Sequence, residues 1–463
     1  MSINRATAQS RSRLPSTLEG KIFLPGHARF DEARRAWNLA IDQRPAAVVS
    51  PEHAQDVAAT VLFARELGLQ VAAQGTGHNA GPLGSLEDTI LLRTERMRRV
   101  NVDPVARTAR VEAGALSLQV AEAAAQHGLA VLVGSSPDVG VVGYTVGGGL
   151  SFLGRKYGLS ANAVRAIDLV TADGRLVRAD RENEPELFWA LRGGGGSLGL
   201  VTALELQLLP IKHAYAGVLW YPIERGSEVL HTWRELTQNE VLPDELMTVG
   251  RFLRLPPIPD VPAEIRGKSF VIVEAYHVDE PAIADELLAT LRALGPVKDT
   301  IATVPMPALS HLHMAPEQPA PGVSDGLMVD RLPAEALGAF VEVAGAGAKF
   351  PLASVELRQL GGELGRPRPE HGALSSIEGQ YLMVAGGPPN PEAPVRAHVE
   401  AVKEALAPWA ARQMYLNFAE TQREAATFWT EGAYHRLRRI KAAVDPDNII
   451  RSNHPVPPAN GCN

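Results

Sequence analysis

One histidine, His78, stands in the run QGTGHNAG at residues 74–81, with Gly75 and Gly77 before it and Gly81 after it. An imidazole can act as nucleophile, proton carrier or metal ligand. Here it sits on bare backbone that can turn tightly or lie close against a ligand. A second glycine-rich run, GSSPDVGVVGYTVGGGLSFLGRKYG at residues 134–158, is too long for an ordinary connector and carries Tyr144. Consecutive backbone N–H groups in such runs can hold an anion without a lysine, and a pyrophosphate is the natural guest for two of them. The first run is not the dinucleotide fingerprint G-x-G-x-x-G, because His78, Asn79 and Ala80 follow Gly75-Thr76-Gly77 with no third glycine at the required offset. Elsewhere, Glu356 and Arg358 in ASVELRQLGG share one side of a predicted strand, with Val355 and Leu357 on the other. A carboxylate beside a charged partner in a water-poor cleft is a candidate base. His311 and His313 form an H-x-H pair that suits zinc, but no third ligand is recognisably spaced.

The elements that must position these residues alternate. AAVVS is a short strand; Ser50 and Pro51 suit the start of a helix whose face carries Val57, Val61 and Leu62, and Gly68 ends it. LQVAA is the next strand and leads into the first glycine run. TILLRT and ARVEAG add strands, LSLQVAEAAAQHG an amphipathic helix, and residues 163–180 a hairpin-like pair turning at Ala172-Asp173-Gly174. Past Pro210 glycine clusters thin out and strands such as YAGVLWYPI, SFVIVEAYHV and SVELRQL alternate with helices. In the helix predicted over 281–295, Ile283, Leu287, Leu288, Leu291 and Leu294 form one apolar stripe. This predicts a sheet with helices on one face and the other face free to cover a site.

Four stretches in order carry a resemblance: QGTGHNAG, SPDVGVVGYTVGGGLSFLGRKYG, PELFWALRGGGGSLGLVT, and the tail from YLNF to DPDNIIRSNHPVPP. They resemble the berberine bridge enzyme-like flavin oxidases, within the vanillyl-alcohol oxidase or p-cresol methylhydroxylase flavoprotein group. The resemblance is strong over residues 46–210 and 415–458 and looser between. It implies an α+β fold in which residues 1–210 and 406–463 form a two-part FAD-binding domain of the p-cresol methylhydroxylase type. Residues 211–405 would form an inserted substrate domain, an antiparallel sheet covered by helices on one face. It also implies FAD bonded through its 8α-methyl to His78, without a second cysteinyl link, since Gly143 stands where many members have cysteine. FAD contacts are implied at Gly75, Thr76, Gly77 and Asn79; at Ser135, Gly140, Gly143, Thr145, Val146, Gly147, Gly148, Gly149 and Tyr157; and at Gly199, Val201, Asn417 and Asn453. Val146 occupies the place where family members set oxygen access, valine being typical of oxidases and leucine of dehydrogenases.

Sugar-oxidising members carry Tyr-x-Asn-Tyr, whose second tyrosine is the base; here Tyr415-Leu416-Asn417-Phe418 ends in a side chain that takes no proton. Glu356 with Arg358 is the leading substitute, and Tyr144 and Tyr415 are further candidates. The implied activity is an oxidase that moves a hydride from a small alcohol, amine or phenolic or polyketide-like substrate to flavin N5. Molecular oxygen then takes the electrons and becomes hydrogen peroxide. A flavin monooxygenase or dehydrogenase on the same scaffold, and a metal-dependent hydrolase built on His311 and His313, are the alternatives.

Composition narrows the classes. The 463 residues are 45% hydrophobic and 21% charged, with a formal net charge of -7. No basic stripe suits nucleic acid. No run reaches the length of a membrane span, and the polar N-terminus has no secretory apolar region. The single cysteine, Cys462, rules out a disulfide within the chain. A cytoplasmic protein is expected.

Overall fold

The computed structural model describes residues 14–349, 352–391 and 393–459; Cys462 lies outside them. Three sheets are present among these residues. The first runs in the spatial order Ile22–Phe23, Ala47–Val49, Thr89–Arg93, Gln70–Gln74, Ile450–Arg451. Its last four strands are parallel. A parallel pair needs a crossover, and the helix Ala54–Leu67 supplies it on the way to Gln70–Gln74. That helix is capped not by Ser50 but by His53, in a capping box with Asp56, whose Oδ2 accepts the amides of Glu52 and His53 at 2.9 and 3.1 Å. Gly68 ends it at a φ of 66°. Leu62 is 49% exposed and drapes over Gly174 rather than facing the core. The far C-terminal strand pairs Ile450 with Val71 and Arg451 with Ala72.

The second sheet is antiparallel, in the order Val100–Asp103, Thr108–Glu112, Leu200–Gln207, Val164–Val170, Leu176–Ala179. The third is built only from strands between residues 213 and 387, and its pairs are all antiparallel. Period-two alternation gives this sheet two unlike faces. Val355 and Leu357 are fully buried against Trp233, Leu337 and Phe340 of the covering helices Gly226–Thr237 and Ala334–Ala344. Burying each such side chain contributes about 2 kcal/mol. The opposite face brings Met247, Val249, Tyr276 and Leu382 into one core with Val146, Leu150 and Phe152 of the second glycine run. The α+β class expected from the sequence is the one observed.

Two expectations differ locally. Residues 134–158 contain short helices, Val141–Val146 and Gly154–Tyr157, rather than only loop. The stripe in 281–295 spans two helices, Pro281–Leu287 and Ala289–Ala293, split at Leu288; Leu288 and Leu291 are buried, while Ile283 is 43% exposed.

Candidate active site

The first glycine run leaves the strand Gln70–Gln74 and forms one wall of a deep cavity. Gly77 has a φ of 88°, and a Cβ there would lie 2.9 Å from Ala36 Cβ, so only glycine fits without strain. The carbonyls of Thr76 and Gly77 accept the amides of Trp37 and Asn38. Among the described residues, the backbone amides of Gly75 through Asn79 have no acceptor. These residues line the cavity, and amides there without a backbone acceptor suit an anion.

His78 is held from two sides. Its ring stacks on Trp37 with centroids 3.9 Å apart and planes tilted by 20°. Its Nε2 is sealed from solvent and lies 3.3 Å from Asp138 Oδ1, while the Trp37 indole N–H donates to Asp138 Oδ2. His78 Nδ1 is not among the sealed atoms and has no hydrogen-bond partner among the described residues. The ring is therefore held by the stack on Trp37, with Nε2 near the Asp138 carboxylate but not hydrogen-bonded to it.

The second glycine run forms the facing wall. A Cβ at Gly147 would lie 1.8 Å from Asn417 Oδ1, so glycine there permits the close approach of the C-terminal segment. Asn417 Nδ2 donates to the Tyr144 carbonyl at 2.9 Å. The Tyr144 hydroxyl is sealed without a partner, and burial, then the neighbouring Tyr415, push it well above the usual phenol range. Both polar atoms of the Gln74 side chain, Asn79 Oδ1 and His454 Nδ1 are also unpaired and belong to cavity-lining residues. Buried polar groups are normally satisfied, so this concentration fits a large polar guest such as FAD.

On the sheet side, Arg358 reaches the cavity and Glu356 stands behind it. Arg358 Nε donates to Glu356 Oε1 at 2.8 Å, and its Nη2 reaches Ser135 Oγ at 3.3 Å and His313 Nε2 at 3.1 Å. His313 Nδ1 lies 2.8 Å from Glu274 Oε2, and Arg251 Nη1 donates to Glu274 Oε1 at 3.2 Å. Burial alone would raise the Glu356 carboxyl, but Arg358, then His313 and Arg251, overcome it and hold it far below the usual range. Such a carboxylate is a weak proton acceptor.

Gly75, Thr76, Gly77, His78, Asn79, Ser135, Gly140, Gly143, Tyr144, Val146, Gly147, Gly199, Val201, Arg358, Asn417 and Asn453 all line the cavity. Six other expected residues do not. Glu356 is screened by Arg358. Tyr415 packs beneath the glycine loop, its ring 3.2 Å from a Cβ built on Gly148. Thr145 is buried beside Ser160 at 3.3 Å. Gly148 and Gly149 turn over Tyr415 and Tyr144, and Tyr157 lies against Lys156 outside the cavity. The H-x-H pair diverges: His311 is exposed beside Glu317, His313 is buried beside Glu274, and no metal-competent cluster of three ligands occurs among the described residues. This removes the structural basis for the hydrolase alternative.

Sequence reasoning missed Glu420, Arg451 and His454, which also line the cavity. Each lies within three residues of a position that was singled out, so proximity to Phe418 and Asn453 was the available signal. Burial, then Asp325, push the Glu420 carboxyl up to about 8. Burial lowers His454 to about 4.

The class follows from comparison with known proteins. Residues 45–180 match the family model described as FAD binding domain, and residues 414–457 the one described as berberine and berberine like. These are the segments that build the two glycine walls and the cavity-lining tail. The chain thus carries an FAD binding domain and a berberine-like segment, is similar to berberine bridge enzyme-like proteins, and is an FAD-linked oxidoreductase. It is 28% identical to (R)-6-hydroxynicotine oxidase of Paenarthrobacter nicotinovorans, over 97% of this chain and 99% of that one. The crystal structure of 6-hydroxy-D-nicotine oxidase from Arthrobacter nicotinovorans superposes with a TM-score of 0.81 at 25% identity, covering 96% and 99% of the two chains. Berberine bridge enzyme from Eschscholzia californica shares the fold, with a TM-score of 0.79 at 20% identity over 97% and 99% of the chains.

Proposed function

We propose that FAD lies along this cavity, bonded once through His78, and that the enzyme is an oxidase of a small organic alcohol, amine or phenolic compound. The observation that carries the reading is His78 on the cavity wall, with Nε2 3.3 Å from the Asp138 carboxylate and Nδ1 without a hydrogen-bond partner among the described residues, next to backbone amides of residues 75–79 that have no backbone acceptor. The bound flavin supplies a two-electron acceptor for substrate hydride and returns the electrons to oxygen as hydrogen peroxide. The chain's part is positional. The amides of residues 75–79 hold the pyrophosphate, and Asn417 clamps the facing loop. Phe418 and Arg358 flank the substrate, and Val146 leaves room for oxygen. Gly143 has open space beside its Cα and no thiol, in keeping with a single attachment.

Residues 1–210 and 406–463 form the FAD-binding unit and 211–405 the substrate unit in this reading. The strand Ile450–Arg451 returning to the first sheet supports it. Glu356 acts here through Arg358, and the Tyr144 phenol, raised well above its usual range, keeps its proton and serves as a hydrogen-bond donor at the cavity wall rather than as the base. The test is acid precipitation of the purified protein: yellow pellet and a mass increased by that of FAD are expected. Flavin released completely into the supernatant removes the covalent assignment. Peroxide formed in step with substrate consumption separates an oxidase from a dehydrogenase, and absence of labelled oxygen in product separates it from a monooxygenase.

A further inference from the structure

The cavity contains a guanidinium to which the redox reading gives no chemical step. Arg358 is 3% exposed overall, yet it lines the cavity. Its Nε is committed to Glu356, and its Nη2 to Ser135 and His313. Nη1 has no hydrogen-bond partner among the described residues and is not sealed. The Phe418 ring lies 4.9 Å from the guanidinium carbon, and the Phe152 ring 5.6 Å. Behind it, Glu356, His313, Glu274 and Arg251 form a buried lattice that fixes the guanidinium plane. Ser135, also on the cavity wall, contributes a hydroxyl next to Nη2.

From this arrangement we infer that Arg358 and Ser135 form a subsite for an ionised oxygen of the substrate, a carboxylate or phenolate borne on a planar group that lies against Phe418. The inference rests on the reading of the cavity as the flavin and substrate site. Three features support it. An arginine offers planar donors matched to a carboxylate. A donor left on a dry wall costs free energy until an acceptor fills it. Phe418, which cannot remove a proton, can stack on a flat ring. The subsite narrows the substrate class: a molecule with a cationic group at this point would face Arg358 without a water shell to screen the repulsion.

The test uses the flavin-loaded protein and follows flavin absorbance during titration with benzoate, benzyl alcohol and benzylamine. Saturable perturbation by benzoate, at concentrations at least about tenfold below those needed for the other two, is expected, a difference of about 1.4 kcal/mol. Arg358→Met should abolish this preference and Arg358→Lys should retain part of it. Because Arg358→Met also unpairs Glu356, Ser135→Ala serves as the milder variant and should weaken benzoate binding several-fold with the buried lattice intact. Benzoate binding no better than benzyl alcohol, or unchanged in both Arg358→Met and Ser135→Ala while the protein stays yellow, overturns the subsite. A protein that carries no flavin overturns the underlying reading instead.

Discussion

Asp138 Oδ1 lies 3.3 Å from His78 Nε2, and the Trp37 indole N–H holds the same carboxylate from its other oxygen. Both atoms are sealed from solvent and no hydrogen bond joins them, so the carboxylate acts on the imidazole through its charge, which favours a proton on Nε2 over one on Nδ1. If His78 bonds the flavin, Asp138 is a positioning residue for that bond. Asp138→Ala should still bind FAD through the unpaired amides, but most of it should come off in acid. The comparison is the pellet-bound flavin fraction of Asp138→Ala, Asp138→Asn and His78→Ala. A full covalent yield in Asp138→Ala would show that the tautomer needs no help.

Val146 borders the cavity at 9% exposure, and its carbonyl accepts the Gly195 amide at 2.9 Å, which fixes its position. Leucine there adds one methylene to a space that must admit a diatomic molecule. Val146→Leu should slow reoxidation of the reduced flavin by about tenfold or more, a barrier increase of about 1.4 kcal/mol. Reduction by substrate should change little. Stopped-flow mixing of reduced protein with aerated buffer reads the first step alone, and equal rates in the two proteins would dissociate Val146 from oxygen access.

Glu356 gives a stability prediction with a defined sign. Its folded carboxyl is held below the unfolded value, chiefly by Arg358 and His313 against burial. The stabilisation is therefore present above the unfolded carboxyl range and is lost as pH falls through the lower folded value. Glu356→Gln leaves Arg358 short of its partner and should cost about 3 kcal/mol at neutral pH. The gap to wild type should narrow on acidification. Chemical denaturation at pH 7 and pH 4 measures both values, and a gap that widens in acid would contradict the assignment.

The legible parts of the chain were those where backbone chemistry dictates sequence. A positive φ at Gly77 and the approach of Asn417 to Gly147 demand glycine, so both walls could be seen from composition alone. The strand face carrying Val355 and Leu357 followed from alternation. Alternation did not say how deep Glu356 would lie. Its depth depends on Arg251, Glu274 and His313, which arrive from three other segments of the chain. The same holds for Asp138: its partners Trp37 and His78 are brought to it by tertiary packing, and no local pattern marks it. Tyr415 was misplaced because a motif fixes a residue's neighbourhood but not which side of a glycine loop its ring takes.

Glu420 and Asp325 are neighbours that divide their environment unequally. Asp325 Oδ2 takes Lys403 Nζ at 2.7 Å and Arg423 Nη2 at 2.6 Å, and its Oδ1 takes the Glu420 amide at 3.1 Å. Those two cations are thereby bound to Asp325, and Glu420 borders the cavity without an ion-pair partner among the described residues. Burial, reinforced by the Asp325 charge, raises its carboxyl to about 8. The folded protein keeps this proton to higher pH than the unfolded chain, which releases it in the ordinary carboxyl range. Stability from this group is thus complete below the unfolded value and declines as pH rises toward 8. Glu420→Gln carries no such titration, and its melting temperature should fall less than that of wild type between pH 5 and about 8.5. The neutral carboxyl also offers an O–H donor to whatever fills the cavity, which glutamine's amide can imitate, so flavin retention should survive in Glu420→Gln and weaken in Glu420→Ala. Melting curves for wild type and Glu420→Gln at half-unit pH steps decide the matter: parallel profiles would mean that Glu420 is already ionised at neutral pH and holds no proton in the site.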